Sequence, residues 1–363
     1  MIQSNEARRE PLPDGTTLLF ENGKEIVFQS HLAENKNALF YEVFNRNTGQ
    51  VIVMKEFFPS HWVRFRAAPV LKGWEQQTDD DLKFGRLYLW LRHQAEAEQR
   101  MNHVLCQSVP CVIPEKKPLY AGVLYLPDGT RWDWPLCVFL EMDGMTAEQG
   151  FPLQALMREC AQPHSPEHPF GNLRRQEGKP DTGKSCVVPA AAVTMRIFQE
   201  TLLALRQLHD AGWVMGDLSI GNIFVQGSLA GGSIQGVSFV DASSVREIGE
   251  REMPGKAGPG FGAPELFLGP ITEKADVFSA GRLLLSMLYP TAVHNARLNR
   301  PLGFLEEIRT LTEGEIVPCG LPQEMRAEVN SLLLRAAAAD PEQRITLDEM
   351  LAAAGDWCRR LEG

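Results

Sequence analysis

An aspartate and an asparagine five positions apart, Asp217 and Asn222, are the pair of residues in this chain best suited to chemistry. They lie between an amphipathic pattern that predicts a helix and a short apolar run that predicts a strand. The aspartate can accept the proton of a hydroxyl group, and the asparagine can supply a neutral oxygen to a magnesium ion. The spacing therefore suits phosphoryl transfer, which depends on positioning and on neutralising phosphate charge.

Other charged residues follow a definite order around this pair. Lys55 ends the apolar run VIVMK, and Glu96 and Glu98 lie in the helical pattern that comes next. Asp241 follows the apolar run VSFV, and Glu265 ends the tripeptide Ala-Pro-Glu before another predicted helix. A lysine, a helix carboxylate, an Asp–Asn pair and a further aspartate are groups that phosphoryl transfer from ATP uses.

Over roughly residues 16–355, the order of these features resembles that of the protein-kinase family. Within the family, the chain is most similar to a bacterial-type Ser/Thr protein kinase or a pseudokinase with a divergent glycine-rich loop. The run LHDAGWVMGDLSIGN is similar to the family's catalytic-loop approach, and DVFSAGRLLLSML, which starts at Asp276, is similar to the helix beneath that loop. The run from Asp340 to Arg344 is similar to the late D-P-x-x-R motif. The resemblance implies that Arg344 pairs with Glu265, and that Arg344 and Asp276 are buried structural tethers.

The resemblance implies an α+β, two-lobed protein-kinase-like fold with a β-rich small lobe and a helical large lobe. The small lobe is expected at residues 13–142, with an insertion at about 61–83, and the large lobe at 143–360, with an extended loop at about 161–188. Turn signals and apolar runs predict strands through 13–58. Apolar periodicity predicts helices at 84–105, 146–160, 190–210, 274–289, 302–312, 322–337 and 346–360.

A nucleotide site in the small lobe is also implied by the resemblance. Lys55 would contact the α- and β-phosphates of ATP and be held by a carboxylate of the following helix. Glu98 is the preferred partner because Met101 and Leu105 follow it at helical spacing and could form its buried side, and Glu96 is the alternative. The residues expected on the adenine side of ATP, where backbone groups would bind the base, are Phe139, Leu140, Glu141 and Met142.

The large lobe would carry the remaining reacting groups. By the resemblance, Asn222 and Asp241 would hold Mg²⁺, and Asp217 would orient or deprotonate the acceptor hydroxyl. Lys55 completes the expected catalytic set. The expected cofactors are thus ATP and Mg²⁺, and the expected reaction is phosphoryl transfer to Ser or Thr hydroxyl groups of a protein.

Departures from the family pattern leave other functions open. Residues 29–43, where the family has a glycine-rich loop, contain no glycine, so their backbone cannot approach phosphates as closely. Ser219 stands where the family usually has a lysine, and residues 241–243 are Asp-Ala-Ser in place of Asp-Phe-Gly. These changes favour, as an alternative, a pseudokinase that acts as a nucleotide-binding or nucleotide-free protein-interaction scaffold. Gly216 before Asp217 is shared with small-molecule kinases, a second alternative, and nucleotidyl transfer is a third.

Charge and composition argue against several kinds of partner. The formal net charge of −10 disfavours nucleic acid or an anionic membrane, since either would favour a basic surface. The sequence shows no apolar run long enough for a membrane span and no apolar segment typical of a signal peptide near residue 1. The seven cysteines form no C-x-x-C pair, which favours reduced thiols over a disulfide framework or a zinc site. We therefore expect a cytoplasmic protein whose partner is a protein substrate or a binding protein.

Overall fold

A computed structural model describes most of the chain, and every structural statement below concerns the residues that it describes. Most of the insertion predicted at 61–83, most of the loop predicted at 161–188 and the helix predicted at 302–312 lie outside them. The described residues are 10–35, 37–58, 79–133, 137–146, 148–161, 174–175, 187–188, 191–228, 233–251, 262–267, 269–288 and 321–362.

The chain divides into two compact units. The first contains Met1–Gln107 and Ile113–Ala147, and the second contains Ser108–Val112 and Glu148–Gly363. Each unit is described by itself. The domain boundary predicted between residues 142 and 143 stays a prediction.

Seven strands make up the sheet of the first unit. Six of them close into an antiparallel barrel in the order β1-β2-β3-β4-β7-β5, because β5 pairs again with β1, and β6 pairs with β5 alone. The strands are β1 (Thr17–Phe20), β2 (Glu25–Glu34), β3 (Ala38–Asn45), β4 (Gln50–Phe57), β5 (Leu119–Tyr125), β6 (Arg131–Asp133) and β7 (Val138–Met142).

The closed barrel corrects the fold that the sequence predicted. The described residues form a mixed α+β structure with a closed six-stranded barrel plus helices, and a kinase-like small β lobe with a large helical lobe is not shown among them, so that prediction is wrong. Closure comes from pairing Leu18 with Leu124 and Thr17 with Tyr125, strands that are far apart in the chain. A strand shows the same alternation in an open or a closed sheet, so local sequence patterns cannot reveal this pairing.

The interior of the barrel is aromatic and aliphatic. Phe28 packs edge-to-face against Tyr41, with ring centroids 4.9 Å apart, and also contacts Phe139 at 5.9 Å. Leu18 and Met54 are fully buried in the same core. Each large side chain buried in this way contributes about 1.5–3 kcal/mol to folding, so the barrel is held by its own interior.

One helix, α1 (Asp79–Leu105), completes the first unit and packs against β7. Its buried positions are Leu91, Ala95, Glu98, Asn102 and Leu105, which recur at spacings of three and four and therefore share one face. Two of these five positions are polar. A polar side chain on the buried face of a helix needs a partner, so Glu98 and Asn102 point to a polar site beneath α1.

The second unit is mainly helical, and its main helices are those expected from the sequence. A three-stranded sheet has the order β13-β12-β8, while β9 pairs with β10 and β11 pairs with β14. Helix α3 packs against α6, α4 and β13. The elements are β8 (Gly150–Pro152), α2 (Leu153–Ala161), β9 (Arg174–Arg175), β10 (Val187–Val188), α3 (Ala191–Asp210), β11 (Trp213–Val214), β12 (Ile223–Ser228), β13 (Ser233–Phe239), β14 (Arg246–Glu247), α4 (Glu273–Leu288), α5 (Gln323–Ala336) and α6 (Leu347–Glu362).

Helix α4 is buried on every side from Ala275 to Leu288, which makes it the central helix of the second unit. Its early residues can therefore anchor the segments that pack around it. Within the part of the chain that the structure describes, no helix is both long and apolar enough to cross a membrane.

Candidate functional site

The segment before Asp217 is tied to the start of α4 by one buried carboxylate. Asp276 accepts hydrogen bonds from the backbone N–H of Met215 at 2.8 Å and of Gly216 at 3.0 Å. The ring nitrogen Nε2 of His209, at the end of α3, lies 2.9 Å from the same carboxylate. Asp276 is fully buried, as the sequence predicted for a structural tether. It fixes the backbone immediately before Asp217 to two helices.

Gly216 makes a close approach that only glycine allows. Its φ is +71°, in the left-handed region, and a Cβ added there would lie 2.8 Å from the carbonyl oxygen of Ser244. Ser244 belongs to the turn that follows Asp241. The segment that carries Asp217 therefore lies directly against the segment that carries Asp241, and a side chain at residue 216 would force them apart.

Asn222 and Asp241 lie at the same end of the β12–β13 pair. Ile223 is opposite Phe239 in the register, and the N–H of Val240 donates to the carbonyl oxygen of Asn222 at 3.1 Å. The side-chain Nδ2 of Asn222 donates to the carbonyl oxygen of Asp217 at 2.9 Å. We call Asp217, Asn222 and Asp241 the aspartate loop. Asn222 connects the three residues, because its side chain bonds to the backbone of Asp217 and its own backbone bonds to Val240, next to Asp241.

Asp241 is also oriented by the backbone, since its Oδ1 accepts the N–H of Ser243 at 2.9 Å. The side chains of the aspartate loop are buried, with residue exposures of 7% for Asp217, 3% for Asn222 and 5% for Asp241. The side chains of Asn222 and Asp241 are each oriented by a hydrogen bond to the backbone, and groups oriented before a ligand arrives are what electrostatic catalysis requires.

The donor set of the aspartate loop fits magnesium. Mg²⁺ prefers oxygen ligands and is commonly held by one or two protein oxygens together with phosphate oxygens and water. Asn222 and Asp241 would supply two such oxygens. Over the described stretches of the chain, no group of three or more His, Cys, Asp or Glu side chains could hold a metal ion.

In the first unit, Lys55 on β4 lies beneath α1 between two carboxylates. Its Nζ forms an ion pair with Glu98 and lies 3.3 Å from the Oε1 of Glu115. The rings of Phe40 and Phe57 lie 5.9 Å and 5.2 Å from Nζ, measured to their centroids. The side chain of Lys55 has no exposed surface. We call Lys55, Glu98 and Glu115 the lysine cluster.

Glu98 rather than Glu96 is the helix partner of Lys55. Glu96 lies two residues earlier and turns away from the buried face of α1, where its Oε1 accepts a hydrogen bond from the hydroxyl of Tyr120 at 2.8 Å. The helical spacing that favoured Glu98 from the sequence therefore identified the correct side of the helix.

Glu115 was missed by sequence reasoning. It is placed by Asn102, whose Oδ1 accepts the N–H of Glu115 at 2.9 Å and whose Nδ2 donates to the carbonyl oxygen of Ile113 at 2.7 Å. Asn102 lies one helical turn after Glu98 on the same buried face. A second polar residue at that spacing was the signal that could have indicated a further partner beneath the helix.

The residues predicted to line the adenine side lie in β7, where strand pairing engages their backbone. Leu140 is opposite Lys55 and Met142 is opposite Val53 in the β4–β7 register. The carbonyl oxygen of Glu141 accepts the N–H of Lys116 at 2.9 Å. Their role in binding a base stays a prediction.

The side chain of Glu141 is committed to two lysines. Its carboxylate forms ion pairs with Lys24 and Lys116. Burial alone would raise the pKa of this carboxyl group, but the hydrogen bonds from Lys116 and Lys24 outweigh burial and lower it. Glu141 therefore stays ionised to lower pH than an ordinary glutamate.

The pairing implied for Arg344 and Glu265 is present in the second unit. Arg344 makes a two-pronged contact in which Nη2 donates to Oε2 of Glu265 at 2.8 Å and Nη1 contacts Oε1. The guanidinium also lies over the ring of Phe278, 5.1 Å from its centroid. The planar fork of arginine suits this arrangement, and its burial marks it as structural.

The predicted site residues fall into two sets. The first unit contains Lys55, Glu96, Glu98, Leu140, Glu141 and Met142, and the second contains Asp217, Asn222 and Asp241. Within its own unit, Lys55 is brought against Glu98, and the three residues of the aspartate loop are brought together.

Comparison with known proteins gives no support for the family named from the motifs. No family model matches the chain, and no curated protein matches it. Together with the closed barrel, this means that the recognition of a protein kinase or pseudokinase from the sequence is wrong. Short motifs fix local contacts such as the one between Arg344 and Glu265, but they do not determine how strands are joined around them.

Proposed function

We propose that the protein catalyses ATP- and magnesium-dependent phosphoryl transfer to Ser or Thr hydroxyl groups of a protein. The observation that carries the proposal is the aspartate loop. Two carboxylates and an amide oxygen lie on two segments that approach closely at Gly216 and are joined by the hydrogen bond from the N–H of Val240 to the carbonyl oxygen of Asn222. Because the proposal is argued from the geometry of the site, it does not depend on which fold the chain adopts.

Each residue of the aspartate loop has a proposed role. Asp217 accepts the proton of the acceptor hydroxyl, and its position is set by the tether to Asp276. Asn222 and Asp241 supply oxygens to Mg²⁺. When bound, the ion would neutralise charge on the phosphate groups. The residues of the aspartate loop orient the reactants, and Asp217 holds the proton. We assign most of the rate enhancement to this positioning.

Lys55 is proposed to contact the phosphate groups of ATP. The support is geometric: Lys55 is fully enclosed between two carboxylates, and an ionisable group in such a place is a candidate for a functional site. The proposal for Lys55 is separate from that for the aspartate loop, and each is tested by its own variant.

Thermal denaturation with ATP, with and without Mg²⁺, tests the proposed nucleotide and metal binding. The wild type is expected to show a magnesium-dependent rise in Tm at millimolar ATP, because a ligand that binds only the native state stabilises it. Asp241→Ala is expected to abolish the magnesium-dependent part. A wild type whose Tm is unchanged by ATP with Mg²⁺ would contradict the proposal.

Asp340→Ala is the matched control for that experiment. The Oδ1 of Asp340 accepts the backbone N–H of Glu342 at 3.1 Å, which is the same kind of turn contact that Asp241 makes with Ser243, in the same unit. Its variant loses the turn contact without touching the aspartate loop. It should therefore keep the full response to ATP and Mg²⁺.

A protein that binds nucleotide without transferring phosphate is the second candidate function. It is favoured by Ser219, a neutral residue two positions after Asp217, which supplies no charge to a transferred phosphate group. A magnesium-dependent rise in Tm without transfer to any acceptor would support this candidate. Transfer to small hydroxyl compounds but not to proteins would instead indicate a small-molecule phosphotransferase.

We further propose that the protein works in a reducing compartment such as the cytoplasm. None of the four cysteines whose side chains the structure describes forms a disulfide, and they are Cys106, Cys111, Cys137 and Cys358. Thiol labelling of the protein unfolded in denaturant without a reductant, followed by mass measurement, would test this, since a cysteine pair that stays unlabelled would contradict it.

A further inference from the structure

The lysine cluster contains more negative than positive charge. Lys55 carries one positive charge, whereas Glu98 and Glu115 are two carboxylates within contact of its Nζ. All three side chains are buried, with side-chain exposures of 0% for Lys55, 3% for Glu98 and 0% for Glu115. Charges interact more strongly in such a place than in water, so an anion approaching Lys55 meets an electrostatic obstacle.

The two carboxylates are held differently. Glu98 lies within helix α1, and its ion pair with Lys55 joins the helix to the barrel. Glu115 lies on the short segment after α1, where Asn102 binds its N–H and where it forms a bridge with Met142. Its contact with Nζ, at 3.3 Å, is longer than the contact that Glu98 makes with the same nitrogen. Glu115 is therefore the carboxylate that an incoming anion displaces more easily.

We propose that Glu115 shields Lys55 from anions, and that its carboxylate must turn away before a phosphate group can contact the lysine. The identity of the anion as a nucleotide phosphate rests on the proposed function. In this arrangement Glu98 positions the lysine and Glu115 sets the affinity for phosphate. Phosphate and the Glu115 carboxylate compete for the same ammonium group, since both accept hydrogen bonds from it.

Calorimetric titration with ATP and Mg²⁺ compares three single variants with the wild type. Glu115→Gln removes the competing charge and is expected to lower the Kd by about tenfold. Glu98→Gln loosens the lysine and is expected to raise the Kd. Glu25→Gln, which removes a glutamate paired with Arg46 at 2.5 Å in the same barrel, is the control and should leave the Kd unchanged. An unchanged or raised Kd in Glu115→Gln would overturn the proposal.

A second readout separates this inference from the proposed function. Acetic anhydride modifies a lysine whenever its amine becomes accessible, and mass spectrometry reports how fast the buried Lys55 is acetylated in the folded, nucleotide-free protein. Glu115→Gln is expected to raise that rate several-fold over the wild type, and Glu25→Gln is expected not to change it. If no variant binds ATP but the rate rises as expected, the proposed function fails and the shielding role stands. If the rate is unchanged in Glu115→Gln, the shielding role fails.

Discussion

The lysine cluster and the aspartate loop hold their charged groups by opposite means. In the lysine cluster, side chains hold side chains, since Lys55 is fixed by Glu98 and Glu115. In the aspartate loop the backbone does this work, since Asn222 bonds to the carbonyl oxygen of Asp217 and Asp241 bonds to a backbone N–H. The first arrangement depends on the balance of charge. The arrangement in the aspartate loop depends on the path of the backbone, and therefore on Gly216 and on the tether at Asp276.

The largest effect is expected when the charge balance of the first region is broken. Lys55→Met leaves two buried carboxylates without their lysine and is expected to lower the free energy of unfolding by about 3–5 kcal/mol. Urea denaturation measures this loss. Arg46→Met removes the cation of an exposed ion pair in the same barrel and should cost about 1 kcal/mol or less. Equal losses in the two variants would show that the lysine cluster is not held by charge.

The next effect is expected at the tether of the second region. Asp276→Ala leaves the N–H groups of Met215 and Gly216 without their buried acceptor and is expected to cost about 2–4 kcal/mol. Chemical denaturation again measures it, with Asp340→Ala, which loses an exposed turn contact, expected to cost about 1 kcal/mol. A loss no larger than that of the control would mean that the backbone before Asp217 does not depend on Asp276.

A smaller but more informative effect is expected at Gly216. An alanine there would place a Cβ 2.8 Å from the carbonyl oxygen of Ser244 and would hold a left-handed φ, so Gly216→Ala should cost about 1–3 kcal/mol. It should also reduce the magnesium-dependent rise in Tm, because the turn that carries Asp241 is displaced. Gly212→Ala is the control, since Gly212 has a positive φ but nothing within 4 Å of an added Cβ. A full response to magnesium in Gly216→Ala would contradict this coupling.

The smallest effect expected is the acid dependence of stability that Glu141 of the first unit contributes. The pKa of Glu141 is lowered in the folded protein, so its contribution is fully present above the ordinary glutamate pKa and is lost as pH falls through the lowered value. Urea denaturation at pH 6 and at successively lower pH should show a loss of stability on acidification that is smaller in Glu141→Gln. The same loss in both proteins would assign it to other groups.

The contrast between the two regions also explains what the sequence could predict. The helices followed from apolar periodicity, and Glu98 followed from the spacing of its neighbours on one helix face. Asp217 and Asn222 lie within one short segment, so their proximity could be expected from the chain itself. The bond from Asn222 to the carbonyl oxygen of Asp217 spans five residues. Contacts made within a short stretch of chain are therefore the predictable part.

Contacts between distant segments were the part that could not be predicted. The barrel closes by pairing Leu18 with Leu124, and neither strand carries a local sign of its partner. Glu115 reaches Lys55 because Asn102 binds the backbone of the segment that carries Glu115. From the sequence alone, a glutamate after a helix looks like an ordinary surface residue. Resemblance to a family supplied a wrong answer for the joining of strands because its motifs describe short segments and not how the strands pair.

Measuring phosphate release and phosphate transfer by the wild type and by Asp217→Asn tests most directly the claim that Asp217 accepts the proton of the acceptor hydroxyl. The wild type and the variant would be incubated with Mg²⁺ and ATP labelled in its γ-phosphate, with dephosphorylated casein as acceptor, and both free phosphate and labelled protein would be counted. The account predicts that labelled casein forms with the wild type and falls about a hundredfold or more in Asp217→Asn, while the ATP-induced rise in Tm is unchanged. Transfer by Asp217→Asn at the wild-type rate would contradict the account, as would a wild type that binds ATP and consumes none of it.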